Sequence, residues 1–181
     1  MSLPIFTVGH STRPIADFIA LLKAQEIQLL VDVRTVPRSR YNPQFNRDAL
    51  PDSLQPAGID YVHLGELGGL RHARKDSTNT GWRNLSFRGF ADYMETPEFE
   101  DGLTRLMTEA STHRTAIMCA EAVPWRCHRS LIGDALVARG VEVFEISSAT
   151  KVQAHKMTPF ARVEGMKVSY PGASLTLDLS P

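Results

Sequence analysis

The sequence has no excess of charge of either sign and lacks the long apolar run that a membrane span requires. Its 20 Lys and Arg residues balance 20 Asp and Glu residues, so the composition gives no general attraction to nucleic acid or to an acidic surface. Residues 1–9 have neither the basic stretch nor the apolar core of a secretory signal. We therefore expect a cytoplasmic protein with no membrane association.

Cysteine is also scarce, with only Cys119 and Cys127 among 181 residues. Two cysteines do not make the disulfide framework of a small secreted protein. In a reducing compartment we expect both as thiols, with a regulatory or catalytic disulfide between them as the alternative. Internal repeats and low-complexity segments are lacking too, which excludes a repeat architecture.

Short apolar runs alternate with stretches of helical periodicity. Strands are predicted at residues 3–8, 27–33, 59–64, 115–119 and 141–146, and helical stripes at residues 15–22, 99–110 and 131–136. This alternation predicts a three-layer αβα domain, Rossmann-like, with a mostly parallel sheet of about five strands. We expect one such domain over residues 1–148. Residues 149–181 are predicted to be a C-terminal extension packed on the same domain, as a covering tail, an extra hairpin or an oligomer contact.

Two long segments, residues 35–56 and 65–88, interrupt the alternation and carry a local positive charge. Residues 34–90 contain nine Lys and Arg residues against five Asp and Glu residues. Tyr41 and Trp82 could stack on a base there. The segments therefore predict either a surface for phosphate or carboxylate or a solvated loop face.

Polar and ionisable side chains follow the predicted strands. His10 follows the first strand, Asp32 and Arg34 the second, and Cys119 and Glu121 the fourth. Any one of them could be a helix cap or an ordinary ion pair. Because the carboxyl ends of parallel strands meet at one edge of a sheet, we expect these side chains to lie close together and form a ligand site.

Residues 119–129 concentrate reactive groups at the crossing from a strand to a helix. Besides both cysteines, this segment contains Glu121, His128 and Arg129. With Pro124 in the first helical turn, Cys127 would lie near free backbone N–H groups that favour its thiolate. We predict Cys127 as a nucleophile or redox thiol and Glu121 as an acid, base or orienting partner. His10 and His128 are the candidates for proton transfer.

Arginine side chains near the same edge predict contacts with an anion. We assign this role to Arg34, Arg40 and Arg129, with Asp32 and Cys119 as further ligand-binding residues. The predicted partner is a small anionic, nucleotide-like ligand, and the motifs identify no cofactor. A nucleic-acid-binding or adaptor module that uses the basic loops is the alternative from another class.

Two known kinds of cysteine site fit the spacing poorly. Cys-x7-Cys-His is not a zinc-knuckle spacing, and adjacent Cys127 and His128 on a helix would point about 100° apart. A metal site built on the two cysteines would need a further histidine. Phosphatases and rhodaneses use Cys-x5-Arg, whereas the first arginine after Cys119 is Arg126, which gives Cys-x6-Arg. Pro124 also removes one amide donor from the intervening loop.

Five motifs occur in order along the chain: Gly9-His10-Ser11, Asp32-Val33-Arg34, Pro37-x2-Arg40, Leu64-Gly65, and Cys119-Ala120-Glu121-x5-Cys127-His128-Arg129. In these motifs the chain resembles the domain of unknown function 488 (DUF488) family over roughly residues 4–148. The Cys-Ala-Glu and Cys-His-Arg pair is the specific part. The resemblance implies a compact cytosolic α/β domain with a shared polar site, and it implies no reaction.

Overall fold

A six-stranded sheet forms the centre of the molecule, as the apolar runs predict. The computed structural model describes residues 2–173. Its strands are β1 (Ile5–Gly9), β2 (Leu29–Asp32), β3 (Asp60–His63), β4 (Thr115–Cys119), β5 (Val143–Ile146) and β6 (Val152–Ala154). The strand order is β3-β2-β4-β1-β5-β6. The first five strands are parallel, and β6 pairs antiparallel with β5 at one edge.

Helices cover both faces of this sheet, which confirms the predicted three-layer α/β fold. They are α1 (Ile15–Ala24), α2 (Leu50–Leu54), α3 (Leu85–Tyr93), α4 (Pro97–Ala110) and α5 (Arg129–Ala138). Successive strand residues point to opposite faces: Ile5 packs with α3, α4 and α5, whereas Phe6 and Val8 pack with α1 and α2. No helix between residues 2 and 173 is long and apolar enough to cross a membrane.

The prediction of a loop over residues 65–88 is wrong for its last residues, because helix α3 begins at Leu85. Asn84 caps this helix, and its side-chain oxygen accepts hydrogen bonds from the N–H groups of Ser86 and Phe87. A Cβ atom at Gly89 would collide with the backbone of Arg71. Glycine therefore lets the loop lie directly against α3, and this glycine interrupts the apolar periodicity that would have revealed the helix.

The rest of this loop is anchored to α3 through Asp92. That buried carboxylate accepts hydrogen bonds from the Arg74 backbone N–H at 2.8 Å, the Ser77 hydroxyl at 2.6 Å and the Asn79 amide at 2.8 Å. Burial raises the pKa of Asp92, but these hydrogen bonds outweigh it and lower the pKa overall. These hydrogen bonds hold residues 74–79 of the loop against helix α3.

The C-terminal extension adds β6 and a small hairpin of β7 (Arg162–Glu164) and β8 (Lys167–Ser169). Tyr170 joins this segment to the rest of the chain: its N–H donates to Asn79 Oδ1 at 2.9 Å, and its hydroxyl donates to Asp134 Oδ2 at 2.8 Å. The domain boundary at residue 148 stays a prediction. Residues 174–181 of the predicted extension lie outside the described residues.

Candidate functional site

A pocket of about 520 Å³ opens at the carboxyl ends of β1, β2 and β4. Six of the predicted site residues line it: His10, Arg34, Cys119, Glu121, Cys127 and His128. Asp32 lies directly below it, paired with Arg34. Arg40 and Arg129 do not line the pocket.

The chain after β1 lies against the loop after β4, which brings two of the sequence motifs together. The N–H of His10 donates to Cys119 O, and the N–H of Ser11 donates to Ala120 O, both at 2.9 Å. A Cβ atom at Gly9 would collide with the backbone of Glu121. Glycine is therefore required at this close approach.

Asp32 and Arg34 form a buried ion pair at the base of the pocket. Arg34 Nη2 lies 2.7 Å from Asp32 Oδ2 and Nε 2.9 Å from Oδ1, and Nη2 also donates to Phe45 O at 2.6 Å. The hydroxyl of Tyr61 donates to Asp32 Oδ2 at 2.5 Å. Burial and the Asp32 carboxylate raise the pKa of Tyr61. Most of the donors of Arg34 are thus used within the protein, and its charge is largely neutralised.

Both pocket histidines are neutral at physiological pH. Burial lowers the pKa of His10 to about 4 and that of His128 to about 4. His128 Nε2 faces Val33 O at 2.9 Å, so Nε2 carries the hydrogen and Nδ1 is an acceptor. That Nδ1 lies 3.6 Å from Cys127 Sγ. By the same reasoning His10 Nδ1 donates to Ser11 O at 2.8 Å.

Cys119 and Cys127 form a disulfide, contrary to the expectation of two thiols. In this oxidised state Cys127 is not a thiolate. The predicted role of Cys127 as a nucleophile therefore requires the disulfide to be reduced first. The alternative of a metal site built on the two cysteines is wrong, because disulfide sulfurs do not offer the thiolate ligands that such a site requires. Within residues 2–173 no group of three or more His, Cys, Asp or Glu side chains is placed to hold a metal ion.

Residues 120–128 connect β4 to α5 and are called the cysteine loop below. The helix after this loop begins later than predicted. Pro124–Arg126 form a separate 3-10 turn, and α5 starts at Arg129 with extended backbone at Cys127. Cys127 therefore precedes the helix by two residues and is not in its first turn. The prediction that Pro124 begins this helix, and that the first helical turn thereby favours a thiolate at Cys127, is therefore wrong.

Arg129 is buried under the loop and does not face the pocket, contrary to its predicted role as an anion contact. Its side chain donates to Cys119 Sγ at 2.7 Å, to Glu121 O, to Ala122 O at 3.1 Å and to Thr7 Oγ1 at 3.3 Å. Burial lowers its pKa to about 10, so it is still cationic at neutral pH. Arg129 is a positively charged brace for the cysteine loop.

The predicted anion contact Arg40 is exposed and lies outside the pocket. Its neighbour in the same loop, Arg38, lines the pocket, as does Arg126 from the cysteine loop. Neither of these two arginines forms an ion pair within residues 2–173. The basic excess of residues 34–90 pointed to the region of Arg38, but no sequence signal distinguished it from Arg40.

One wall of the pocket is apolar. It is formed by Val36, Leu70, Phe87 and Phe90. Val36 is 59% exposed and Leu70 77% exposed, so both side chains are open to a ligand in the pocket. The pocket therefore combines an apolar wall with two free guanidinium groups, and Glu121 is the carboxylate that lines it.

The second basic loop, residues 71–88, uses several of its charges internally. Arg71 stacks on the ring of Tyr93, 3.7 Å from its centroid. Arg74 pairs with Glu95 at 2.9 Å, and Arg88 Nε donates to Trp82 O at 3.0 Å. These contacts leave less positive charge for a polyanion than the sequence indicates.

Residues 14–136 match the protein-family model described as domain of unknown function DUF488. Neither the curated proteins nor the solved structures contain a match to this chain.

Proposed function

We propose that this chain, which belongs to the DUF488 family, binds a small anionic, nucleotide-like ligand in the pocket at the carboxyl ends of β1, β2 and β4. The observation that carries the proposal is that two pocket-lining arginines, Arg38 and Arg126, have no ion-pair partner among residues 2–173. Guanidinium groups without a partner at the opening of a concave site are the usual means of binding phosphate or carboxylate.

The charges around the pocket favour an anion. Asp32 and Arg34 cancel each other, and His10 and His128 are neutral, so among the described side chains that line the pocket the remaining charges are those of Arg38, Arg126 and Glu121. Two cations against one carboxylate leave a positive balance. Because the pocket is partly enclosed, this positive charge attracts an anionic ligand more strongly than the same charge would on an open surface.

The apolar wall favours a ligand that also has a flat or apolar part. The partly buried ring of Phe87 lines the cavity, and Val36 and Leu70 are exposed there. A nucleoside monophosphate has both a planar base and a charged end. The volume of about 520 Å³ lies within the range of about 300–1,000 Å³ typical of small-molecule sites.

If the protein also acts on this ligand, Glu121 is the side chain we propose for proton transfer. It is exposed at the pocket, whereas the histidines are neutral and each uses a ring nitrogen in a backbone hydrogen bond. In support of this role, Glu121 lines the same pocket as Arg38 and Arg126. An acid or base needs this kind of access to its ligand.

Replacing Arg38 by Gln, and separately Arg126 by Gln, should each weaken binding of adenosine monophosphate at least about tenfold, because each change removes a charge-assisted hydrogen bond worth about 1.5–3 kcal/mol. Isothermal titration calorimetry at low ionic strength measures this effect. The matched control is Arg40→Gln, two residues from Arg38 but outside the pocket, which should leave the Kd within about twofold.

Two results would contradict the proposal. One is the lack of binding by the unmodified protein of any of the four common ribonucleoside monophosphates at millimolar concentration. The other is an equal loss of affinity in Arg38→Gln and Arg40→Gln. Retention of single-stranded RNA that falls steeply with salt, and that Arg40→Gln weakens as strongly as Arg38→Gln, would instead support the nucleic-acid alternative.

A further inference from the structure

We propose that Cys119 and Cys127 form a redox couple that exchanges electrons with a dithiol reductant through the pocket, with Cys127 as the attacked sulfur and Cys119 as the leaving thiolate. This inference does not depend on the anionic ligand. It rests on the position of the disulfide in the pocket wall and on the different neighbours of its two sulfur atoms.

The disulfide is accessible from the pocket although the rest of its surroundings are packed. Cys119 is 3% exposed and Cys127 6% exposed, and both line the cavity of about 520 Å³. A purely structural disulfide needs no such access. Because both cysteines border the cavity, we infer that a small dithiol can approach the sulfur atoms through the pocket, which is the first requirement for thiol–disulfide exchange.

Arg129 makes the two sulfurs unequal. Its Nη1 donates to Cys119 Sγ at 2.7 Å, and its charge is buried beside that sulfur, with the Arg129 side chain 1% exposed. A cation and an N–H donor stabilise a thiolate, so negative charge develops most easily on Cys119. The thiol that is the better anion leaves faster in an exchange reaction.

Cys127 has a different neighbour. His128 Nδ1 lies 3.6 Å from Cys127 Sγ, and that nitrogen is an acceptor because Nε2 donates to Val33 O. A neutral imidazole nitrogen that accepts hydrogen bonds does not stabilise a thiolate, so Cys127 is the poorer leaving group of the two cysteines. In the reduced protein, however, it can accept a hydrogen bond from the Cys127 thiol, so Cys127 is suited to be the protonated member of the pair.

The exchange balances as follows. One thiolate of the dithiol attacks Cys127 Sγ, a new S–S bond forms, the Cys119–Cys127 bond breaks, and Cys119 leaves with the electron pair beside Arg129. The second thiolate of the reagent then attacks the reagent sulfur in the mixed disulfide and releases Cys127. The reagent becomes a cyclic disulfide and loses two electrons. The protein gains both electrons and, after protonation from solvent, two thiols.

Reduction of the native protein tests access. The air-oxidised protein, treated with dithiothreitol without denaturant, quenched and alkylated with a maleimide, should show no adduct before reduction and two adducts afterwards in its intact mass. Circular dichroism before and after should show the same folded protein. Two maleimide adducts before reduction in the oxidised protein, or reduction only after unfolding, would overturn the proposal.

The identity of the attacked sulfur needs a second measurement. A brief pulse of 2-mercaptoethanol, which cannot resolve its own mixed disulfide by cyclising, followed by acid quench and peptide mapping, should find the adduct on Cys127 at least tenfold more often than on Cys119. The same pulse in guanidinium chloride, where Arg129 no longer contacts Cys119, is the matched control and should give nearly equal adducts. An even distribution in the folded protein would overturn the assignment of roles.

Discussion

Replacement of Arg129 by methionine is expected to lower the free energy of unfolding by roughly 3 kcal/mol, the largest effect of any single change at the cysteine loop. Arg129 is fully buried and its guanidinium binds Cys119 Sγ, two backbone carbonyls of the loop and the hydroxyl of Thr7. Methionine fills a similar volume but donates no hydrogen bonds. The carbonyls of Glu121 and Ala122 lose their donor, and each such loss costs about 1–3 kcal/mol when the group stays buried.

Chemical denaturation of the oxidised protein measures this change. Arg126→Met is the matched control, since Arg126 has the same side chain in the same loop but is exposed, and the expected change there is within about 0.5 kcal/mol. Equal stabilities of the two variants would show that Arg129 is not the brace of the loop. That result would also count against the contact of Arg129 with Cys119 Sγ, on which the different roles proposed for the two cysteine sulfurs rest.

Raising the pH from 6 to 10 should remove roughly 3 kcal/mol of stability that depends on His155 alone. His155 lies buried between two carboxylates, with Nε2 2.8 Å from Asp134 Oδ1 and Nδ1 2.9 Å from Glu145 Oε1. Burial lowers its pKa, but the hydrogen bonds and charges of these two carboxylates outweigh burial and raise the pKa to about 9. The imidazolium bridges helix α5, strand β5 and the C-terminal extension.

The direction of the effect follows from linkage. The folded protein holds this proton to about pH 9, whereas the unfolded chain releases it near pH 6.5. The contribution of His155 is therefore complete below pH 6.5, declines above it and is lost above pH 9. Within the described part of the chain, Tyr170 is the other ionisable side chain bonded to this cluster, through Asp134. Burial and that carboxylate raise the pKa of Tyr170, so it stays protonated in this range.

The measurement compares the unmodified protein with His155→Gln across this pH range by urea unfolding. The difference in unfolding free energy should be largest at pH 6 and should shrink by roughly 3 kcal/mol at pH 10. His113→Gln is the control, because His113 lies at the end of α4, away from the cluster, beside a partly exposed Glu109. A difference between the unmodified protein and His155→Gln that does not vary with pH would mean that His155 is not charged in the folded state.

The sequence allowed the sheet and its polar edge to be predicted because both depend on local patterns. Apolar runs mark buried strands, and residues that follow parallel strands must meet at one edge. His10, Arg34 and Cys119 therefore lie together as expected. Helix α3 was missed because Gly89 stands where its apolar face touches a neighbouring loop, so the helical periodicity is interrupted there.

The functions of individual charges could not be predicted, because they depend on burial. Arg38, Arg40 and Arg129 have the same side chain, yet one lines the pocket, one is exposed outside it and one is buried beneath it. The partnership of Asp134 with His155 is equally hidden, since 21 residues separate them and only the antiparallel pairing of β6 with β5 brings them together. Such long-range contacts leave no periodic signal.

The central position of β1 has a consequence for the synthesis of the chain. This first strand pairs with β4 and β5, so residues 5–9 find their hydrogen-bonding neighbours only at residues 115–119 and 143–146. While the ribosome makes the intervening chain, the apolar side chains of β1 have no sheet to join. β1 therefore has neither of its partner strands until more than half of the chain has been made, and the core is completed late in translation.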